Sequence, residues 1–111
     1  MTPASSFQCE VQESGADSQG NKLTMVKCYG RLMSETAVDL KGAVKPLLEE
    51  GGRIVIDLGD VNYLDSSGLG ALVGLKVSAI RQGLCILEFV NMTPRVLELM
   101  RISNLVQMLS A

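Results

Sequence analysis

Ile54-Val55-Ile56-Asp57-Leu58 is a brief, mostly β-branched run, bounded by Gly51-Gly52 before it and Gly59 after it. An apolar run of this kind between turn signals reads as a buried strand. Shortly after it, Asp65-Ser66-Ser67-Gly68 introduces an apolar segment at helical spacing. Leu69, Val73, Val77 and Ile80 fall on one stripe, with Leu72, Leu75 and Ala79 beside it. Ser66 or Ser67 falls where an N-cap residue belongs, its hydroxyl accepting from an N–H of the first turn. A hydroxyl in that place is exposed, fixed and close to the positive end of a helix dipole. A phosphate is electrostatically tolerated there, and a partner protein can read its presence. A serine that does nothing but cap a helix fits the same residues.

The rest of the chain supplies further strand and helix patterns around this unit. Residues 1–6 are small and polar and are expected to be disordered. Phe7, Cys9 and Val11 alternate with Gln8, Glu10 and Gln12, the pattern of a half-buried strand. Glu13 to Lys22 is turn chemistry, and a second strand over Leu23 to Tyr29 completes an expected hairpin. Ser34 reads as the cap of a first helix with Ala37, Leu40, Val44, Leu47 and Leu48 on its inner face. Pro46 is expected to kink that helix or end it near Val44 to Lys45. Gly83 closes the second helix, Leu84 to Val90 forms a neighbouring strand, and Thr93-Pro94 caps a third helix. Leu105 to Leu109 reads as an edge strand or an extended packing segment.

This order, β-β-α-β-α-β-α, predicts an α/β fold: one mixed four- to five-stranded sheet with about three helices packed against it. A chain of 111 residues makes one domain, here residues 7–111. With 47% hydrophobic but 4% aromatic residues, its core is aliphatic. A net charge of −2, with Lys76, Arg81, Arg95 and Arg101 spread out as solvated positions, argues against nucleic-acid binding. The absence of histidine excludes a Ser-His-Asp triad, a Cys-His dyad and histidine-ligated zinc. Cys9, Cys28 and Cys85 lie far apart in sequence without CxxC spacing, and read as reduced, buried thiols of a cytoplasmic protein with no disulfide framework. The N-terminus lacks the pattern of a signal peptide, and Lys76 interrupts the longest apolar stretch well short of a membrane span.

Two catalytic readings of this region fail. Gly68, Gly70 and Gly74, with Glu88 beyond them, superficially match a dinucleotide fingerprint, but the stretch from Gly59 to Ser67 separates them from the strand. Gly70 and Gly74 are expected instead to let the helix approach the sheet. Asp57, a strand-end residue, and Asp60, a turn residue, have no general acid or nucleophile activator alongside Asp65. The spacing of these carboxylates is not that of a calcium loop, so no metal and no cofactor are expected. Among the methionines, Met33 and Met92 fall at strand-to-helix junctions and are the two allowed at the surface.

Tyr63-Leu64-Asp65-Ser66-Ser67-Gly68-Leu69-Gly70, preceded by the Ile54 to Leu58 strand, resembles the signature of the STAS domain family. More narrowly, it is similar to the bacterial anti-sigma factor antagonists, with consistent patterning over roughly residues 7–109. The resemblance implies a regulator that is not an enzyme and acts by partner switching. Unphosphorylated, it binds an anti-sigma factor that is also a serine kinase; phosphorylation ends that binding, and a PP2C-like phosphatase restores it. Carried onto this chain, Ser66 is the phosphoacceptor, with Ser67 as second choice. Asp65, Ser66, Ser67, Gly68, Leu69 and Gly70, together with Met33 and Met92, form the expected partner-binding face. Family members commonly carry an acidic residue where Met33 follows Gly30-Arg31-Leu32, and many continue past the position of Ala111 into a further helix. These differences leave open an alternative: an interaction subunit that is not phosphorylated, resembling the small STAS subunit of bacterial lipid-transport ABC complexes.

Overall fold

The computed structural model describes residues 7–102. Its elements run β1 (Phe7–Ala16), β2 (Lys22–Leu32), α1 (Ser34–Glu50), β3 (Gly52–Leu64), α2 (Ser66–Gln82), β4 (Cys85–Val90) and α3 (Pro94–Ile102). Among the described residues the sheet has four strands in the order β1-β2-β3-β4. The hairpin pair β1/β2 is antiparallel, while β2/β3 and β3/β4 are parallel, so the sheet is mixed as expected. The expectations for residues 1–6 and for the segment Leu105 to Leu109 lie outside the described residues.

The parallel pairs follow from the crossover helices, since α1 joins β2 to β3 and α2 joins β3 to β4. Period-2 burial sends Val26 and Cys28 of β2, Ile54, Ile56 and Leu58 of β3, and Leu87 and Phe89 of β4 into one core. Leu40, Val44 and Leu48 of α1 meet them with Leu72, Leu75 and Ala79 of α2. The core is aliphatic, with Phe7 and Phe89 its buried aromatic rings among the described residues.

Several expectations are corrected. α1 passes through Pro46 and ends at Glu50, with Gly51 at φ 82° as its cap. Pro46 is exposed, while Val44 and Leu48 on either side are anchored in the core, so packing overrides the proline. β3 extends beyond Leu58 to Leu64 and accommodates Gly59 in a bulge. There Lys27 pairs with Asp57 and Tyr29 with Asp60, so Leu58 and Gly59 together face Cys28. Asp57 and Asp60 are therefore strand residues, and both bind the Lys27 ammonium, at 3.3 and 3.2 Å.

The buried face of α2 is also rotated from the expected stripe. Gly68, Ala71, Leu72, Leu75, Lys76 and Ala79 line it with Leu69, whereas Val73 and Val77 are half-buried and Ile80 is exposed. Lys76 is not a solvated position: it is 7% exposed, and its Nζ donates to the Leu87 carbonyl at 2.5 Å. A lysine can occupy such a place because its aliphatic stem packs while its ammonium reaches an acceptor.

Candidate partner-binding site

The site is built where the parallel strands β2 and β3 end together. Leu32 and Leu64 are register partners and are both buried, which fixes the next residues, Met33 and Asp65, side by side at the sheet edge. Each is the N-cap of its helix, with extended backbone. Two helices thus start from neighbouring strand ends, and their positive dipole ends share one surface.

The caps differ from those expected at Ser34 and at Ser66 or Ser67. In α2 the cap is Asp65, whose Oδ1 accepts from the Gly68 N–H at 2.9 Å, while its carbonyl accepts from Leu69 N–H, also at 2.9 Å. A carboxylate one residue earlier meets the need that the serine hydroxyls were expected to meet, and it complements the dipole better. Ser66 and Ser67 become the first residues of the helix, both exposed. In α1 the Met33 N–H donates to the Thr36 hydroxyl at 3.0 Å, and that hydroxyl donates to the Arg31 carbonyl at 2.6 Å. Thr36 therefore closes the turn from inside the helix, and Ser34 is not needed as a cap.

Gly68 explains the tightness of this corner. A Cβ there would collide with the Leu32 carbonyl oxygen and come within 2.8 Å of Leu64 Cδ1. The start of α2 lies directly on the end of β2, and the Asp65 N–H donates to the Leu32 carbonyl at 3.4 Å. Gly70 and Gly74, expected to provide this close approach, are exposed and face open space. The first glycine of the motif is the one against the sheet.

Of the residues singled out from the sequence, Asp65 to Gly70 form one turn, with Leu69 buried and Ser66, Ser67 and Gly70 exposed. Met33 is half-buried beside it. Met92, also half-buried, packs against the core from the segment between β4 and α3. Sequence reasoning missed Arg31 and Tyr63, whose guanidinium and ring stack at 4.9 Å near the end of β3. They are register partners across β2 and β3, a relation that sequence spacing alone does not reveal. A cavity of about 370 Å³ lies alongside, lined by Tyr63, Leu64, Thr93, Pro94, Arg95 and Val96 among others.

The charges here are acidic at the helix starts. Asp65 is committed to α2, and Glu35 stands in the first turn of α1. No cluster of cysteine and carboxylate groups with metal-binding geometry occurs among the described residues. Glu88, the acidic residue of the dinucleotide-like pattern, is paired with Arg53 at 2.6 Å.

A family model described as "Mlab, STAS domain" matches residues 15–110 of the chain. The anti-sigma-B factor antagonist of Bacillus subtilis is 35% identical over 80 residues, covering 72% of this chain and 72% of the relative. The fold is similar to the crystal structure of an anti-sigma factor antagonist from Mycobacterium paratuberculosis, with a TM-score of 0.74 and 19% identity over 96% of this chain and 86% of that one. It is also similar to the anti-sigma factor antagonist SpoIIAA in its unphosphorylated form, with a TM-score of 0.65 and 18% identity, covering 90% of this chain and 82% of that chain. The phosphorylated form of SpoIIAA gives a TM-score of 0.62 at 16% identity, covering 92% and 86%.

Proposed function

The chain belongs to the STAS domain family, with an anti-sigma-B factor antagonist among its relatives, and from that premise we propose that it is a phosphorylation-controlled antagonist of an anti-sigma factor. In this reading the unphosphorylated protein binds an anti-sigma factor that is also a serine kinase, and so releases a sigma factor. The kinase phosphorylates Ser66, binding ends, and a PP2C-like phosphatase resets the cycle. The protein regulates transcription without catalysing a reaction of its own, and it acts in the cytoplasm.

The observation that carries the proposal is the exposed hydroxyl of Ser66 at the first position of α2, relieved of capping by Asp65. A serine whose oxygen caps its own helix would have to give up that bond to become a phosphoester. Ser66 has no such conflict. Its attached phosphate would lie near two helix starts, which softens its charge within the free protein. Against a partner, about −1.5 to −2 added charge beside Asp65 brings repulsion and a desolvation cost. A loss of roughly 3–4 kcal/mol corresponds to two to three decades in affinity, enough for a switch. Ser67, exposed one residue further on, is the second choice. The partner-binding face comprises Asp65 to Gly70 with Met33, and Met92 at its margin.

The second reading, a STAS interaction subunit that is never phosphorylated, is favoured by Met33. It replaces the acidic residue common in antagonists with a half-buried apolar side chain. The description of the matching family model, "Mlab, STAS domain", points the same way. Incubation with a serine kinase that phosphorylates a known anti-sigma factor antagonist, followed by peptide mapping across Val61 to Lys76, separates the two. One phosphate on Ser66, lost in Ser66→Ala, supports the switch; an unmodified peptide under kinase conditions that phosphorylate a known antagonist supports the second reading.

A further inference from the structure

Cys9 and Cys28 are far apart in sequence, yet they are direct register partners in the antiparallel pair β1/β2. Side chains of such partners emerge on the same face of the sheet, with Cβ atoms about 4.5–5.5 Å apart. Their Cα atoms are about 4.5 or 5.5 Å apart, according to the type of pair, and either value falls within the 4.4–6.8 Å span of disulfides. Both thiols are free, and they lie within hydrogen-bonding reach of each other. Cys28 is fully buried, whereas Cys9 is half-buried on an edge strand whose later residues are mostly exposed. Disulfides need their Cβ atoms about 3.5–4.5 Å apart, so the edge strand must close in by roughly 1 Å for the bond to form.

We infer that Cys9 and Cys28 form an oxidative modification site, closing to an intramolecular disulfide when the protein meets a peroxide. The two sulfurs have unequal roles. The hydrogen bond from Cys28 lowers the Cys9 thiol from its ordinary value, against burial and nearby Asp39; the same hydrogen bond, with burial, pushes Cys28 up. Cys9, which is also the more accessible, is the attacking group. Its thiolate attacks one peroxide oxygen; the O–O bond breaks, hydroxide leaves, and Cys9 becomes a sulfenic acid. The Cys28 sulfur then attacks the Cys9 sulfur. The S–S bond forms, the S–O bond breaks, and the hydroxyl leaves as water with the Cys28 proton. Both sulfurs are oxidised by one electron each, and the peroxide is reduced to two waters. Cys85, at the start of β4 and raised by burial, has no register partner of its own kind and stays reduced.

The site is independent of the reading of Ser66. Its test uses the full chain, reduced, desalted and treated with hydrogen peroxide, then unfolded and alkylated with N-ethylmaleimide. The expected product has lost about 2 Da before alkylation, takes up label at Cys85 alone, and yields a Cys9–Cys28 linked peptide. Hydrogen exchange of the β1 amides slows on oxidation, and Cys9→Ser abolishes both effects without needing the buried Cys28 to be changed. The inference is overturned if all three thiols still alkylate, if the linkage involves Cys85, or if the same bond forms as fast in urea-unfolded chain.

Discussion

At the scale of single residues, Gly68 and Gly70 make opposite predictions from one motif. Gly68→Ala drives a methyl into the Leu32 carbonyl and the Leu64 side chain, so it should destabilise the fold by about 1–3 kcal/mol. Gly70→Ala fills open space on an exposed helical position and should stabilise it by roughly 0.5–1 kcal/mol. Urea unfolding of both variants measures the two signs directly; equal effects would show that the close approach at Gly68 is wrong. Asp65→Ala removes the α2 cap and should cost about 1 kcal/mol, with Asp65→Ser recovering most of it. Ser66→Ala and Ser67→Ala, which remove no capping bond, should leave stability within about 0.5 kcal/mol of the parent. The motif's position at a strand-to-helix junction was legible in the sequence. Which of its four polar and small residues caps and which faces the sheet was not, because that depends on where the β2 backbone lies.

Among the elements, α1 and β3 show how tertiary packing extends what local signals would stop. Pro46 breaks one helical bond on the solvent side, but Leu48 beyond it is 1% exposed and pulls the last turn into the core. Pro46→Ala should therefore stabilise the protein by about 2 kcal/mol, somewhat under the full helix-interior penalty because the unfolded chain gains freedom. Thermal unfolding followed by circular dichroism checks this, and a fall in Tm would mean the proline fits the helix without loss. The β3 bulge at Leu58-Gly59 lengthens the strand past a glycine that looks like its end, and Lys27 fastens the bulge by bridging Asp57 and Asp60. The existence and order of the described elements could be read from periodicity and turn residues alone. Their extents could not, since bulges and register are set by the neighbouring strand. The same limit concealed the Arg31–Tyr63 stack and the cross-strand cysteines.

Across the whole molecule, the alternation of strands and helices was enough to specify a mixed sheet with helices against it. Charge placement on the sheet adds a pH dependence that composition could not show. The Arg53 guanidinium, 2.8 Å from Asp17, holds that carboxyl well below the usual carboxylate range, aided by Asn21 and Gln19. The unfolded chain therefore binds this proton more tightly than the folded one. The contribution is present in full above the ordinary aspartate value of about 3.9 and is lost as pH falls through the lower folded value. The stability difference between the parent and Asp17→Asn should accordingly be largest near neutral pH and shrink steadily below about pH 4. Denaturant titrations across that range would show a constant difference if Asp17 and Arg53 did not interact.

The central claim, that a phosphate on Ser66 governs partner binding, is tested most directly by one affinity measurement. Isothermal titration of the cognate anti-sigma factor would use the chain in unmodified form and with phosphoserine incorporated at position 66. The account predicts a Kd weaker by two to three orders of magnitude for the phosphorylated protein, about 3–4 kcal/mol, with its circular dichroism unchanged. Equal affinities for the two forms would contradict it.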